Sequence, residues 1–121
     1  MIDNERKKEL RETYKQTPRT AGIIAIRNKK NGKVFIAASV NVNALINKSK
    51  AVLNFGSHLN SALQEEWNSY GAESFEIEIL DTLDPEEHMT EVPADDVNEL
   101  FDLWFTKLEP YGDKGYHRFE K

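Results

Sequence analysis

The sequence contains no cysteine, so disulfide cross-links and thiolate metal sites are excluded, and a reducing compartment is expected. No apolar run approaches the roughly 18 residues that a membrane-spanning helix needs, and the opening stretch MIDNERKKEL has no apolar signal core. A soluble, cytoplasmic protein with no membrane partner is therefore expected. Internal repeats and low-complexity segments are also absent. Acidic residues are scarce in the first half: residues 1–60 carry 12 Lys/Arg against 4 Asp/Glu, whereas residues 61–121 carry 4 against 17. The two halves bear +8 and -13, a bipolar chain whose net charge of -5 would by itself argue against nucleic acid. Such asymmetry marks either a basic binding surface backed by an acidic one, or solvated faces of drifting composition.

What is present is one domain's worth of chain. Its 121 residues can bury roughly two thirds of the surface they expose when unfolded. The organising stretch is Thr20 to Ser39, TAGIIAIRNKKNGKVFIAAS. Ile24 and Ile26 fall on one face of a first strand, and Val34 and Ile36 on one face of a second, because side chains alternate along a strand. Between them Asn31-Gly32 supplies the positive φ that a hairpin turn needs. A lone hairpin is marginal in water, so the rest of the chain must cover it.

Upstream, Asp3 to Lys15 predicts a helix with opposite charges four apart at Lys8 and Glu12 and a thin apolar stripe of Ile2, Leu10 and Tyr14. Pro18 separates this arm (residues 1–19) from the domain proper (20–121). Arg6, Lys7, Lys8, Arg11, Lys15 and Arg19 make it either a phosphate-tracking element or an ordinary solvated face. Downstream of the hairpin, Asn41 or Asn43 caps a helix carrying Val42, Leu45, Ile46 and Leu53, which Asn54-Phe55-Gly56 breaks. Ser57 or Asn60 caps the next, in which Leu59, Leu63, Trp67 and Tyr70 recur at helical spacing before a left-handed cap at Gly71. SFEIEILD then alternates Phe75, Ile77 and Ile79 against Glu76 and Glu78, predicting a half-buried strand of a sheet with one covered face.

An acidic connection from Asp84 to Pro93 leads into a last helix, with Asp95 and Asp96 near the positive end of its dipole. Val97, Leu100, Phe101, Trp104, Phe105 and Leu108 form its broad apolar stripe, and Pro110 ends it. The expected fold class is α+β: a small three-stranded antiparallel sheet, hairpin plus third strand, packed by helices, with an extra N-terminal helix.

The order of these elements, with AGII opening one strand, NGKVFIA forming the next, SVNV leading into a helix and LQEEWNSYGAESFEIEIL supplying a W-x-x-Y-G-x-x-x-F block, resembles the GIY-YIG nuclease superfamily over roughly residues 20–117. GSHLNSALQEEW resembles a small bacterial branch whose motifs are altered. The family chemistry is metal-assisted phosphodiester hydrolysis: one tyrosine helps deprotonate water, a second tyrosine and an arginine act at the phosphate, a glutamate holds the metal, and an asparagine supports the site. The resemblance places the two tyrosines on Ile24 and Phe35, the second motif's glycine on Ala37, the arginine on Leu45, the glutamate near Phe101 and the asparagine on His117. Only Gly22 survives.

The resemblance thus implies a catalytically degenerate, non-hydrolytic domain, with no cofactor expected and Mg²⁺ only if nuclease activity is retained. Replacement candidates are His58, Lys48 and Asn60. Lys48 lies one helical turn beyond Leu45, and His58 either acts on a ligand or satisfies backbone donors. Glu65 and Glu66 read as a solvated helix face, His88 as a loop residue without a chemical role, and no metal site is expected because ligand spacing is lacking. Nucleic acid, bound without sequence readout, is the expected partner of Arg6, Lys7, Lys8, Arg11, Arg19, Arg27, Lys29, Lys30, Lys33, Lys48 and Lys50. The alternatives are a protein-interaction or self-association module, in which the basic half of one chain meets the acidic half of another, and a metal-dependent endonuclease with a relocated site.

Overall fold

The computed structural model describes residues 20–85 and 92–117. The expected N-terminal helix, Arg6, Lys7, Lys8, Arg11, Lys15, Pro18 and Arg19, the middle of the acidic connection with His88, and the last four residues lie outside the described residues.

The hairpin forms as the alternation predicts. Strand β1 (Ala21–Asn28) pairs antiparallel with β2 (Val34–Ser39), from Gly22 opposite Ser39 to Arg27 opposite Val34. Asn28 N–H donates to the Lys33 carbonyl at 2.9 Å and Gly32 N–H to the Asn28 carbonyl at 2.8 Å, closing the turn. Gly32 alone of the Asn31-Gly32 pair takes a positive φ, 78°, while the Asn31 side chain accepts from Lys33 N–H at 3.0 Å. Strand β3 (Phe75–Leu83) joins the other edge of β1, also antiparallel, giving the order β2-β1-β3. The register shifts between Ile23, opposite Asp81, and Ile24, opposite Ile79, so that Leu80 bulges out of the ladder.

Helix α1 (Val42–Phe55) starts at Asn41, whose side chain accepts from Ala44 N–H, and stops at Gly56 in the left-handed region. Helix α2 (Ser61–Tyr70) starts at Asn60, which caps Leu63 N–H. Leu59 therefore precedes the helix and is wholly exposed, a correction to its place in the apolar stripe. Gly71 closes α2 with φ 90°, but its ψ of 152° is extended, so the cap is not the left-handed one expected. Helix α3 (Ala94–Leu108) follows Pro93, with Asp95 and Asp96 in its first turn, and ends at Glu109 immediately before the buried Pro110.

The sheet is covered on both faces rather than one. On one side Ile24 and Ile26 pack with Val42 and Leu53 of α1, Leu63 and Trp67 of α2, and Phe75. On the other, Ile23, Ala25, Val34 and Ile36 pack with Phe105 of α3, flanked by Leu100, Phe101, Trp104 and Leu108. A strand with both faces buried carries apolar residues continuously, and AGIIAI does so. No helix among the described residues is long and apolar enough to cross a membrane.

Candidate functional site

Side chains from three segments of the chain converge where β2, α1 and the 56–60 loop meet. Phe35 and Ala37 of β2, Leu45 and Lys48 of α1, and His58 and Asn60 of the loop line an open cavity of about 620 Å³. Two of the helical lining residues, Leu45 and Lys48, lie one turn apart on the face of α1 toward β2, as the i, i+3 rule requires. His58 is held by its own loop: its Nδ1 accepts from Asn60 N–H at 2.9 Å, and its N–H donates to the Gln64 side chain at 3.0 Å. Of the two predicted readings of His58, the structure shows the satisfied backbone donor, and the ring also lines the cavity.

Behind the cavity, Phe35 stacks on His117 with ring centroids 4.6 Å apart and planes within 1°. His117 also meets Phe101 at 6.1 Å and Phe105 at 5.4 Å edge to face. Its Nε2 accepts from Ile36 N–H at 2.9 Å, while Tyr116 N–H donates to the Val34 carbonyl at 3.1 Å. Residues 115–117 thereby close the outer edge of β2. Burial lowers the pKa of His117, and that of His58, below 6.5. A ring nitrogen that accepts a main-chain N–H must keep its lone pair, so both hydrogen bonds belong to the neutral imidazole.

Glu66 overturns its reading as a solvated residue. Its Oε1 accepts from Tyr116 Oη at 2.7 Å, Asn31 Nδ2 at 2.8 Å and Asn28 Nδ2 at 2.9 Å, and Oε2 lies 3.6 Å from Lys33 Nζ. Burial alone would raise its pKa, but the hydrogen bonds from Tyr116, Asn31 and Asn28 and the Lys33 charge outweigh it and hold the carboxyl below its ordinary range. Burial and Glu66 together push the Tyr116 phenol up. This carboxylate pins the hairpin turn, α2 and the C-terminal segment to one another. Glu66→Ala is expected to lose about 1–3 kcal/mol in urea unfolding, because the fully buried Asn28 is left with an unsatisfied amide; the exposed Glu65→Ala should change stability by less than about 0.5 kcal/mol.

The described cations do not form one patch. Arg27 pairs with Glu78 at 3.0 Å, and Lys33 with Glu66. Lys29 and Lys30 are exposed at the hairpin turn. Lys48 and Lys50, two residues apart on α1, line different depressions, Lys50 beside Trp67 and Phe75. Among the described residues no group of three or more His, Asp or Glu side chains could hold a metal ion.

No protein-family model matches the chain, and no curated protein sequence matches it. Solved structures do. The catalytic domain of the homing endonuclease I-TevI is 27% identical and superposes with a TM-score of 0.64, covering 79% of this chain and 95% of that one. A point mutant of the catalytic domain of the same intron endonuclease is 26% identical, with a TM-score of 0.59, covering 74% and 84%. The chain has a GIY-YIG-like fold.

Within this GIY-YIG-like domain, the motif positions assigned by resemblance are scattered over both faces of the sheet. Ile24 is wholly buried between α1 and α2. Phe35, Ala37 and Leu45 line the cavity, whereas Phe101 packs on the opposite, α3 face of the sheet. His117 joins the two sides through its contacts with Phe35 and Phe101. Gly22 has a packing role of its own: a Cβ there would press into the Asp81 main-chain carbonyl on β3. Among the described residues no carboxylate lines the cavity, so its lining offers a divalent metal no anionic oxygen ligand. Sequence reasoning missed the Glu66 network, whose partners lie 38 and 50 residues apart and leave no local signal.

Proposed function

We propose that this nuclease-like domain is catalytically degenerate and binds nucleic acid without hydrolysing it and without reading its sequence. The observation that carries the reading is the cavity itself: Phe35, Ala37 and Leu45 stand at three motif positions, and Lys48 is its charged side chain. Loss of one general base or one charge-stabilising donor costs roughly 10²- to 10⁴-fold in rate. Losses within one site are not additive, but with base, arginine and metal ligand all replaced by apolar side chains little above background remains. Lys48 keeps a cation one helical turn from the old arginine position, and Lys29 and Lys30, exposed at the hairpin turn, are separate cations for phosphate. No basic recognition helix is present among the described residues, so the contacts are to phosphate. No resident metal ion is needed for this role.

Two measurements test the reading. Excess purified protein with Mg²⁺ or Mn²⁺ should leave a labelled duplex and a single strand intact; metal-dependent cleavage abolished by His58→Ala would establish a relocated active site instead. Electrophoretic shift should show binding that weakens steeply with salt, by roughly 40-fold between about 50 and about 200 mM if about three phosphates are neutralised. A flat salt dependence, or salt-sensitive self-association in sedimentation without nucleic-acid binding, overturns it in favour of an assembly module.

A further inference from the structure

The cavity is larger and more apolar than a phosphate alone would use. Its volume, about 620 Å³, lies within the roughly 300–1,000 Å³ typical of ligand pockets. A bare phosphate is recognised by donors and cations, and apolar walls offer it nothing. Here the walls are Phe35, Ala37, Leu45 and Val52, with the wholly exposed Leu59 among the lining residues. Phe35 and His58 meet at 88° with ring centroids 5.1 Å apart, forming an aromatic corner. The His58 Nδ1 accepts from Asn60 N–H, which fixes the ring in that corner. Among the described residues the single formal charge in the lining is Lys48, and no Asp or Glu lies between Glu12 and Glu65, so no carboxylate of this stretch competes for it.

An aromatic corner, apolar walls and one cation suit an uncharged planar ring tethered to an anion. Resting on the nucleic-acid reading above, we infer that the cavity receives an unpaired base of a single-stranded nucleic acid, with Lys48 on the adjoining phosphate. A base paired within a duplex is stacked on both sides and its ring cannot enter a side-chain pocket, so this domain prefers single strands, loops or frayed ends over continuous duplex. The selection is for exposed rings rather than for sequence, because every base has a face to stack.

Fluorescence anisotropy on the full chain decides the matter with four probes: a random single-stranded oligodeoxynucleotide, an abasic strand of equal length, the annealed duplex and AMP. The intact strand should bind roughly 5- to 150-fold more tightly than the abasic strand, which carries the same phosphates without bases, and more tightly than the duplex. Val52→Trp, which fills the cavity, and Ser57→Trp at its exposed lining should each abolish that ratio while leaving abasic binding in place. Circular dichroism establishes that each variant is folded. Lys48→Ala should weaken intact and abasic strands alike. Equal affinity for intact and abasic strands, or a ratio that survives both tryptophan variants, overturns the inference and leaves phosphate binding standing. AMP bound as tightly as the strand overturns it in favour of a free nucleotide. Failure to bind any strand overturns the nucleic-acid reading and this inference with it.

Discussion

The Gly22→Ala variant is expected to lose on the order of 3 kcal/mol in urea or thermal unfolding, a large share of the 5–15 kcal/mol that holds an ordinary domain together. Added methyl groups in a close-packed interior usually cost less, because a side chain gives way. Here the obstacle is main chain, the Asp81 carbonyl on the neighbouring strand, and it lies beside the bulge at Leu80 where β1 and β3 change register. The comparison is Gly32→Ala. Its φ of 78° makes it strained as well, but a Cβ there meets open space, so the cost should be held to about 1–2 kcal/mol. Should the two variants prove equally stable, the packing explanation for Gly22 fails and the glycine must be retained for another reason.

The second large effect is on the acid side. His58 and His117 are both held neutral, with pKa values below 6.5. An unfolded chain binds more protons than the folded one as the pH drops through that range, so stability is complete above about 6.5 and declines as the pH falls through the folded-state values. Protonating His117 removes the acceptor of Ile36 N–H inside the sheet edge, and stranding a buried main-chain donor costs about 1–3 kcal/mol. Melting temperatures taken from pH 7.5 to 5 should therefore fall. A His58→Ala, His117→Phe double variant should be less stable at neutral pH yet flatter across that window. Glu66 adds a separate loss in stronger acid, below the ordinary carboxylate pKa of 4.5, because its own is lowered further. A wild-type curve that is level from pH 7.5 to 5 would contradict the acceptor roles of both rings.

Much of this architecture is written locally. The hairpin is legible because alternation and Asn31-Gly32 act over neighbouring residues, and α1 because Asn41 and Gly56 mark its two ends. Where spacing alone was the guide, it went astray: Leu59 fits an i, i+4 series with Leu63, yet the cap at Asn60 begins the helix one residue later and leaves Leu59 in solvent. The second covered face of the sheet was present in the unbroken apolar run AGIIAI, and it is obscured by reading only every other residue. The cavity was half legible, since Leu45, Lys48 and His58 could be picked out by type and only folding shows that Phe35 faces them. Glu66 was not legible at all, because a glutamate on a helix looks the same whether water or Asn28 and Tyr116 surround it.

The clasp of residues 115–117 along β2 has a bearing on how the chain should be handled. A protein cut after Glu109 would retain every helix and strand described above, yet the border of the sheet would stand open, with Val34 and Ile36 offering unpaired main-chain groups to any passing strand. Residues 115–117 thus occupy an edge that another strand would otherwise pair with, and a purification tag grafted in their place is expected to promote aggregation.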